Sequence, residues 1–342
     1  MEHSFGSDNH SGVHPLIITA IIEENKKFAT AYGEDPLTKE VLNKIEKLCG
    51  DNCSAFFVLN GTGANVVAIS PFVKSYNSIL APETAHINVD ECGAPEKFSG
   101  AKIVSLPTQN GKVTPNVVKK GLIELGNQHH VQAKILSISQ PTELGTVYTP
   151  DEIKELAKLM HDNDCYLHVD GSRIANAAAA LKMPIKSFIS DCNVDVLSFG
   201  GTKNGLLIGE VVVFFNRDLI DSVKYIRKQA TQLYSKSRFI AAQFNAYLKD
   251  ELYLQLAHHS NLMAKYLEAS LKSITEIKIT QPVESNAVFA ILPAWMIDEL
   301  HKKYYFYVWN ESINEVRWMC SFNTNKEDID LFVNDIKKLL NK

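Results

Sequence analysis

Between residues 54 and 215 the chain alternates short apolar segments with stretches of helical character. Such alternation predicts a mostly parallel sheet with helices on both faces, which is an α/β architecture. The predicted strands are residues 55–60, 78–81, 102–106, 134–139, 166–170, 194–199 and 210–215. The predicted helices are residues 62–74, 115–126, 150–162 and 173–181. Thr114-Pro115 and Thr149-Pro150 each place an N-cap residue before a proline that suits the first helical position.

The pattern changes after residue 216. A helical stretch is predicted from residue 218 to about 273, with an interruption at 235–237. Strand-like segments then cover 278–283, 287–292, 304–309 and 315–322, and a last helix covers 326–340. This order predicts a smaller α+β unit. We therefore expect a large domain of residues 1–249, with an N-terminal arm of residues 1–30, and a small C-terminal domain of residues 250–342.

The composition argues against a nucleic-acid-binding, a membrane-spanning and a secreted protein. Its 342 residues carry 39 acidic and 35 basic groups, and the basic groups do not cluster, so no nucleic-acid partner is expected. No apolar run approaches the roughly 20 residues that span a bilayer, and the first residues lack the pattern of a secretory signal. The six cysteines form no CxxC pair, which favours reduced thiols in the cytoplasm and no metal site.

Three predicted strands end in residues that can carry chemistry, and ligands of open α/β sheets bind at the carboxyl ends of strands. Residues 60–65 (NGTGAN) form either a phosphate-binding turn or a simple connection; Val66 stands where a dinucleotide fingerprint has Gly or Ala. Asp170 ends an apolar strand and needs a cation or several donors, unless it caps the next helix. Lys203, taken alone, is typical of a surface residue, but its small neighbours leave room for a group on its nitrogen.

Together these three features match the chemical needs of pyridoxal phosphate. The aldehyde of this cofactor requires a lysine for a Schiff base. Its ring nitrogen requires an acidic partner to stay protonated, so that the ring can accept electrons. Its phosphate requires donors at the start of a helix. The sequence supplies the phosphate loop, Asp170 and Lys203 in that order.

On these residues the chain resembles the fold-type-I pyridoxal-phosphate enzymes, and within them the threonine aldolase family, over nearly its whole length. The matching segments are residues 5–9 (FGSDN), 31–35 (AYGED), 60–65 (NGTGAN), 83–86 (ETAH), 90–95 (DECGAP), 142–148 (TELGTVY), 168–173 (HVDGSR) and 199–204 (FGGTKN). The resemblance implies a large domain with a mostly parallel central sheet flanked by helices, and a small α+β C-terminal domain.

The resemblance also implies roles for individual residues. Lys203 would hold the cofactor, Asp170 would pair with its ring nitrogen, and His86 would stack on the ring and provide the proton path from the substrate hydroxyl. Further contacts to the cofactor are expected from Gly61, Thr62, Gly63 and Arg173. The substrate carboxylate would be bound by Ser7, Arg173 and Arg317, because a guanidinium can bind a carboxylate through two parallel hydrogen bonds.

The implied reaction is the cleavage of L-threonine, L-allo-threonine and related β-hydroxy-amino acids to glycine and an aldehyde. The alternatives are a β-eliminating lyase or an aminotransferase of the same fold, from which residues 83–86 and 90–95 distinguish the chain, and a non-catalytic protein that binds pyridoxal phosphate. Many family members carry Asn-Thr-His-Asn-Gly where this chain has Pro-Thr-Glu-Leu-Gly at 141–145. Glu143 therefore replaces a second active-site histidine, and we expect low specificity between the two threonine diastereomers.

The resemblance implies an assembly as well. The family builds its site near subunit contacts, so a homotetramer or at least a homodimer is expected. The only other expected partner is a small-molecule amino-acid substrate, without a membrane or a nucleic acid.

Overall fold

The computed structural model describes residues 3–215 and 219–340. The strands are β1 (His3–Ser4), β2 (Ser54–Val58), β3 (Asn77–Pro82), β4 (Lys102–Leu106), β5 (Gln132–Ser139), β6 (Tyr166–Gly171), β7 (Val196–Phe199), β8 (Glu210–Phe214), β9 (Lys278–Ile279), β10 (Ala287–Ile291), β11 (Tyr304–Tyr305), β12 (Tyr307–Asn310) and β13 (Glu315–Met319). The α-helices are α1 (Pro15–Glu24), α2 (Pro36–Cys49), α3 (Gly61–Ile69), α4 (His86–Val89), α5 (Ala94–Ser99), α6 (Pro115–Gly121), α7 (Pro150–His161), α8 (Ile174–Leu181), α9 (Ile185–Phe188), α10 (Ile220–Gln229), α11 (Arg238–Leu248), α12 (Leu252–Leu271), α13 (Ala294–His301) and α14 (Lys326–Leu340).

The main sheet has seven strands in the order β2-β8-β7-β6-β5-β3-β4, within the part of the chain that the structure describes. Strands β3 to β7 run parallel to one another, and β8 is antiparallel to both β2 and β7. All residues of β3, β7 and β8 are buried, as expected for strands covered by helices on both faces. The predicted α/β sheet is confirmed.

The C-terminal part has a second, antiparallel sheet in the order β12-β13-β10-β9. Its core is centred on Trp318 and Phe332, and the buried ring of Phe5 packs into it from the N-terminal arm. The arm is further attached by the parallel pairing of β1 with β11. Helix α12 joins the two cores, because its first half packs with the main sheet and its second half with the small one. The domain boundary at residue 249 stays a prediction.

Several predicted elements have different bounds in the structure. The helix predicted at 62–74 ends at Ile69, because Pro71 follows in a 3-10 turn and cannot extend an α-helix. The helix predicted at 115–126 ends at Gly121, a residue with low helix propensity. The strand predicted at 278–283 is reduced to β9, before Pro282. The strand predicted at 304–309 is divided between β11 and β12, which pair with different partners.

The long helical stretch is interrupted where predicted and once more. Helix α10 ends at Gln229 and α11 starts at Arg238, which confirms the break around 235–237. A second break precedes α12, where Asp250 and Glu251 both have positive φ. Residue 218, the predicted start of this stretch, lies outside the described residues. Within residues 3–215 and 219–340, none of the helices combines the length and apolar character that crossing a membrane requires.

Candidate active site

The predicted site residues converge at the carboxyl ends of the central strands. Asp170 ends β6, Lys203 lies in the turn after β7, and Gly61 starts α3 directly after β2. A small pocket there is lined by His86, Ser139, Pro141, Glu143, Asp170, Ser172, Arg173 and Lys203. Asp170 and Lys203, which the sequence analysis selected as polar residues at strand ends, therefore line one pocket.

Asp170 is a buried carboxylate with several donors. Its Oδ1 accepts from the backbone N–H and the hydroxyl of Ser172, at 2.9 and 2.7 Å, and its Oδ2 accepts from Nδ2 of Asn65 at 2.8 Å. Burial alone would raise the pKa of Asp170, but the charge of Lys203 and these donors hold that pKa below its usual value. Asp170 does not cap helix α8, whose N-cap residue is Arg173. It is an ionised group suited to pair with a cation.

Lys203 lines the pocket and is not a surface lysine. Burial lowers the pKa of its amine, and the positive charge of Arg173 lowers it further. A lower pKa increases the fraction of neutral amine, which is the nucleophilic form. The turn that carries Lys203 is fixed by Glu210, whose carboxylate accepts the Gly201 N–H at 2.6 Å. Burial raises the pKa of Glu210 to about 7. A side chain at Gly200 would come within 2.2 Å of the Ser172 backbone, so this close approach requires glycine.

The predicted phosphate loop has two different glycines. A Cβ at Gly61 would have only the Ser172 hydroxyl nearby, at 3.7 Å, so this glycine borders open space. A Cβ at Gly63 would lie 2.2 Å from the side chain of Gln232, and the Gly63 N–H already donates to Oδ1 of Asn60 at 2.8 Å. The first N–H groups of a helix lack intrahelical acceptors. The geometry thus favours Gly61 and Thr62 as the anion-binding amides. Gly63 is required instead because a side chain there would collide with Gln232.

His86 begins the short helix α4, and its half-buried ring contacts a chain of buried polar groups. Its Nδ1 lies 2.7 Å from Oε1 of Glu91, and the same oxygen accepts from Nδ2 of Asn65 at 2.7 Å. The hydrogen bond to Glu91 raises the pKa of His86, against the effect of burial. Because a carboxylate oxygen accepts hydrogen bonds, this contact assigns the proton of neutral His86 to Nδ1, and Nε2 is then free to take a proton.

Glu143 lies beside His86 in the loop after β5. Its Oε1 accepts from the His86 backbone N–H at 2.9 Å and from the hydroxyl of Ser139. Its Oε2 is shielded from solvent and has no hydrogen-bond partner among the described residues. Burial raises the pKa of Glu143, which makes its carboxylate a stronger base than an exposed one.

The two predicted substrate arginines have unlike partners. Arg173 forms a two-bond pair with Asp8, Nε to Oδ2 at 2.6 Å and Nη2 to Oδ1 at 2.9 Å. Arg317 donates from Nη2 to the carbonyl of Gly6 at 3.1 Å and lies over the ring of Trp309, 4.9 Å from its centroid. Within the described ranges no acidic side chain forms an ion pair with Arg317, and its Nε has no partner. Burial, and then the charge of Arg173, lower the pKa of Arg317 to about 10.

Ser7, the third predicted carboxylate contact, precedes this pair in the chain. Its hydroxyl accepts the N–H of Asn9 at 3.2 Å and thereby caps the 3-10 turn Asp8–His10. The turn places the Asp8 carboxylate against Arg173. The N-terminal arm is therefore part of the site.

Comparison with known proteins supports one family. Residues 5–294 match the profile of a family described as beta-eliminating lyase. The chain belongs to the β-eliminating lyase family. A low specificity L-threonine aldolase from Pseudomonas aeruginosa is 37% identical over 337 residues, covering 98% of this chain and 97% of the relative. Another with the same description, from a Pseudomonas species, is also 37% identical over 98% of this chain and 97% of its own length.

Solved structures agree with this assignment. A threonine aldolase from Leishmania major has a TM-score of 0.93 at 29% identity, and the alignment covers 98% of this chain and 99% of that chain. The mouse protein CSAD has a TM-score of 0.78 at 13% identity, which shows a shared fold only. This member of the β-eliminating lyase family is thus a lyase with the fold-type-I architecture.

Three buried residues of the site were not assigned a role from the sequence: Asp8, Asn65 and Glu91. All three lie inside segments that resemble the family, 5–9, 60–65 and 90–95. Each is a buried polar residue whose partners lie in other segments. These three residues could have been found from the sequence as polar residues inside matching segments that had no assigned role.

Proposed function

We propose that this chain is a pyridoxal-phosphate-dependent aldolase that cleaves L-threonine and L-allo-threonine to glycine and acetaldehyde. The single observation that supports it best is that Asp170, kept ionised by its donors, and Lys203, whose pKa is lowered, follow one another at the ends of adjacent strands and line one pocket. These two groups suit any pyridoxal-phosphate enzyme of this fold, and the relatives named above favour an aldolase among them.

The residues present fit the cofactor. Asp170 would hold the ring nitrogen, Lys203 would hold the aldehyde carbon, and the amides of Gly61 and Thr62 would receive the phosphate. The open space above Gly61 is consistent with a phosphate there. When bound, the cofactor supplies an electron sink for the negative charge left on Cα as the Cα–Cβ bond breaks.

The remaining steps fall to side chains of the chain itself. Arg317 would bind the substrate carboxylate and thereby orient the Cα–Cβ bond. His86 would accept the hydroxyl proton at Nε2, because Nδ1 is occupied by Glu91. Glu143 offers a second acceptor beside it. Two acceptors next to each other would serve hydroxyl groups of either configuration, which supports low specificity between the diastereomers.

The decisive experiment measures aldehyde release from both diastereomers with added pyridoxal phosphate and without a 2-oxo acid. We expect turnover of both, with kcat/KM values within about tenfold of each other, since one hydrogen bond more or less changes a rate by about that factor. Lys203→Ala should abolish turnover, whereas Lys120→Ala, at an exposed lysine of α6, should not. A requirement for a 2-oxo acid would instead identify an aminotransferase, and a large preference for one diastereomer would reject low specificity.

We further propose that the chain works as a homodimer or homotetramer in the cytoplasm. Exposed apolar side chains of α1, Leu16, Ile18 and Ile22, and those of Leu207 and Ile208 close to the Lys203 turn, support an assembly that covers them. The thiols of Cys49, Cys92, Cys165, Cys192 and Cys320 are free, which suits a reducing compartment. Light scattering of the purified protein tests the assembly: a monomeric mass at micromolar concentration would contradict it.

A further inference from the structure

Two carboxylates in the site, Glu91 and Asp170, are both buried and share a single amide. Nδ2 of Asn65 donates to Oε1 of Glu91 at 2.7 Å and to Oδ2 of Asp170 at 2.8 Å. Asn65 is itself 1% exposed, and its Oδ1 has no partner among the described residues. The reverse orientation of the amide would set an oxygen against two acceptors, so chemistry fixes the N–H groups on the carboxylates.

The two carboxylates serve different parts of the site. Glu91 binds Nδ1 of His86, and Asp170 lies next to Lys203 and accepts two bonds from Ser172. The Asn65 amide therefore links Glu91, the partner of the histidine that would take the substrate proton, to Asp170, the group that would hold the cofactor ring. Without it, two like charges would lie close together in a region of low dielectric, where such pairs bind protons more readily.

We propose that Asn65 is a positioning residue: by donating one N–H to each carboxylate it holds both as hydrogen-bond acceptors and leaves Nε2 of His86 free to accept the substrate proton. This role rests on the proposed function for its last step, the transfer to His86. The hydrogen-bonding part stands on the geometry alone, because both bonds are short and the three side chains are buried.

Several charged groups around His86 set its pKa, and a change at Asn65 acts through two of them. Glu91 lies in the turn after α4, Asp170 at the end of β6 and Lys203 after β7, and all three act on the charge of His86. Glu143, in the loop after β5, accepts from the His86 backbone N–H and not from the ring. Lys203 lowers the pKa of His86, and the two carboxylates raise it. Because the Asn65 N–H groups weaken the effect of the carboxylates, we expect Asn65 to lower the pKa of His86, as Lys203 does.

The test measures the proton affinity of His86 directly in the purified full-length protein. The rate at which diethyl pyrocarbonate modifies His86 is followed against pH by peptide mass spectrometry, since only the neutral imidazole reacts. In Asn65→Leu we expect the midpoint for His86 to rise by about one pH unit, the usual scale for losing a bond to a charged group. Asn65→Asp, which keeps the shape but adds a third carboxyl group, should raise it further.

A matched control separates charge from packing. Asn176 is another buried asparagine whose Nδ2 donates twice, but to Ser260 and Asn261, which are uncharged. Asn176→Leu should leave the His86 midpoint unchanged. A midpoint that stays within about 0.2 unit in both Asn65 variants, or that shifts as much in Asn176→Leu, would overturn the proposal.

Turnover gives a second readout. In Asn65→Leu the acid limb of kcat/KM should move to higher pH with the His86 midpoint, so that a loss of about tenfold near neutral pH is recovered one unit higher. A structural defect would not be repaired by raising the pH. If the wild-type protein released no aldehyde at all, the proposed function would fail, while the modification experiment would still decide the role of Asn65.

Discussion

Arg173 and Arg317 approach the same site with opposite electrostatic surroundings. Arg173 already binds a carboxylate, that of Asp8, through two parallel hydrogen bonds. Burial lowers the pKa of Arg173, but the charge and hydrogen bonds of Asp8, with the charges of Asp170 and Glu143, together raise that pKa above its usual value. Arg317 has one bond to a backbone carbonyl, two aromatic rings for neighbours, and a pKa lowered by burial to about 10. The first arginine is electrostatically satisfied and the second is not.

The difference indicates which arginine awaits a ligand. A buried charge without a counter-ion costs free energy until an anion arrives. A substrate carboxylate would supply that anion at Arg317, whereas at Arg173 the Nε and Nη2 donors are already occupied. The sequence analysis assigned both arginines to the substrate. Because Arg173 contacts Asp8 of the arm, we expect Arg317 to contribute more to carboxylate binding.

The largest effect is expected from Arg317→Met. Losing one partner of a buried pair of charges typically weakens binding by about a hundredfold or more. Because the carboxylate is bound before and during bond cleavage, most of the loss should appear in KM for L-threonine. Arg238→Met, at a half-buried arginine only loosely paired with Glu24, is the matched control and should leave KM unchanged. An unchanged KM in Arg317→Met would mean that Arg317 does not bind the substrate carboxylate.

Stability should separate the same two arginines. Asp8→Asn leaves Arg173 buried without its counter-ion, and we expect the free energy of unfolding to fall by about 3 kcal/mol. Arg317→Met removes an unpaired charge and should leave the free energy of unfolding unchanged or raise it. Urea denaturation of both variants checks this. Equal destabilisation by the two changes would mean that Arg317 has a partner of its own.

A pH titration tests the low pKa of Arg317. Carboxylate binding needs the charged guanidinium, which is lost as the pH rises through the pKa of about 10. The dissociation constant of 3-hydroxybutyrate, which lacks the amine of threonine, should therefore be about fourfold higher at pH 10.5 than at pH 9. Arg173 stays charged over this range because its pKa is raised. Calorimetry should show no such change in Arg317→Met.

The sheet could be predicted from the sequence, and Asp170 and Lys203 could be selected as candidates, because both steps depend on local signals. Apolar strands alternating with helices are visible in short windows, and Asp170 and Lys203 stand out as polar residues at strand ends. The short helix α13 was not predicted, since residues 294–301 show no start signal of the kind that Thr149-Pro150 gives α7.

Pairings between distant segments could not be predicted in the same way. Asp8 and Arg173 are 165 positions apart, and Asn65 and Asp170 are 105 apart. No local pattern distinguishes a carboxylate that binds an arginine from one that caps a turn. The assignment of Arg173 to the substrate was for this reason made without its main partner, and Gly63 was assigned to phosphate without Gln232.

The smallest effect on KM is expected at Ser7, which precedes Asp8, the carboxylate bound to Arg173. Its hydroxyl accepts from Asn9 N–H and keeps its own proton for a substrate carboxylate. One neutral donor is worth about 1 kcal/mol, so Ser7→Ala should raise KM by about fivefold. Ser11 makes a fitting control, because its hydroxyl is engaged by the carbonyl of Asp8 and Ser11→Ala should leave KM unchanged. A hundredfold effect at Ser7 would instead show that the arm, and not Arg317, carries most of the carboxylate binding.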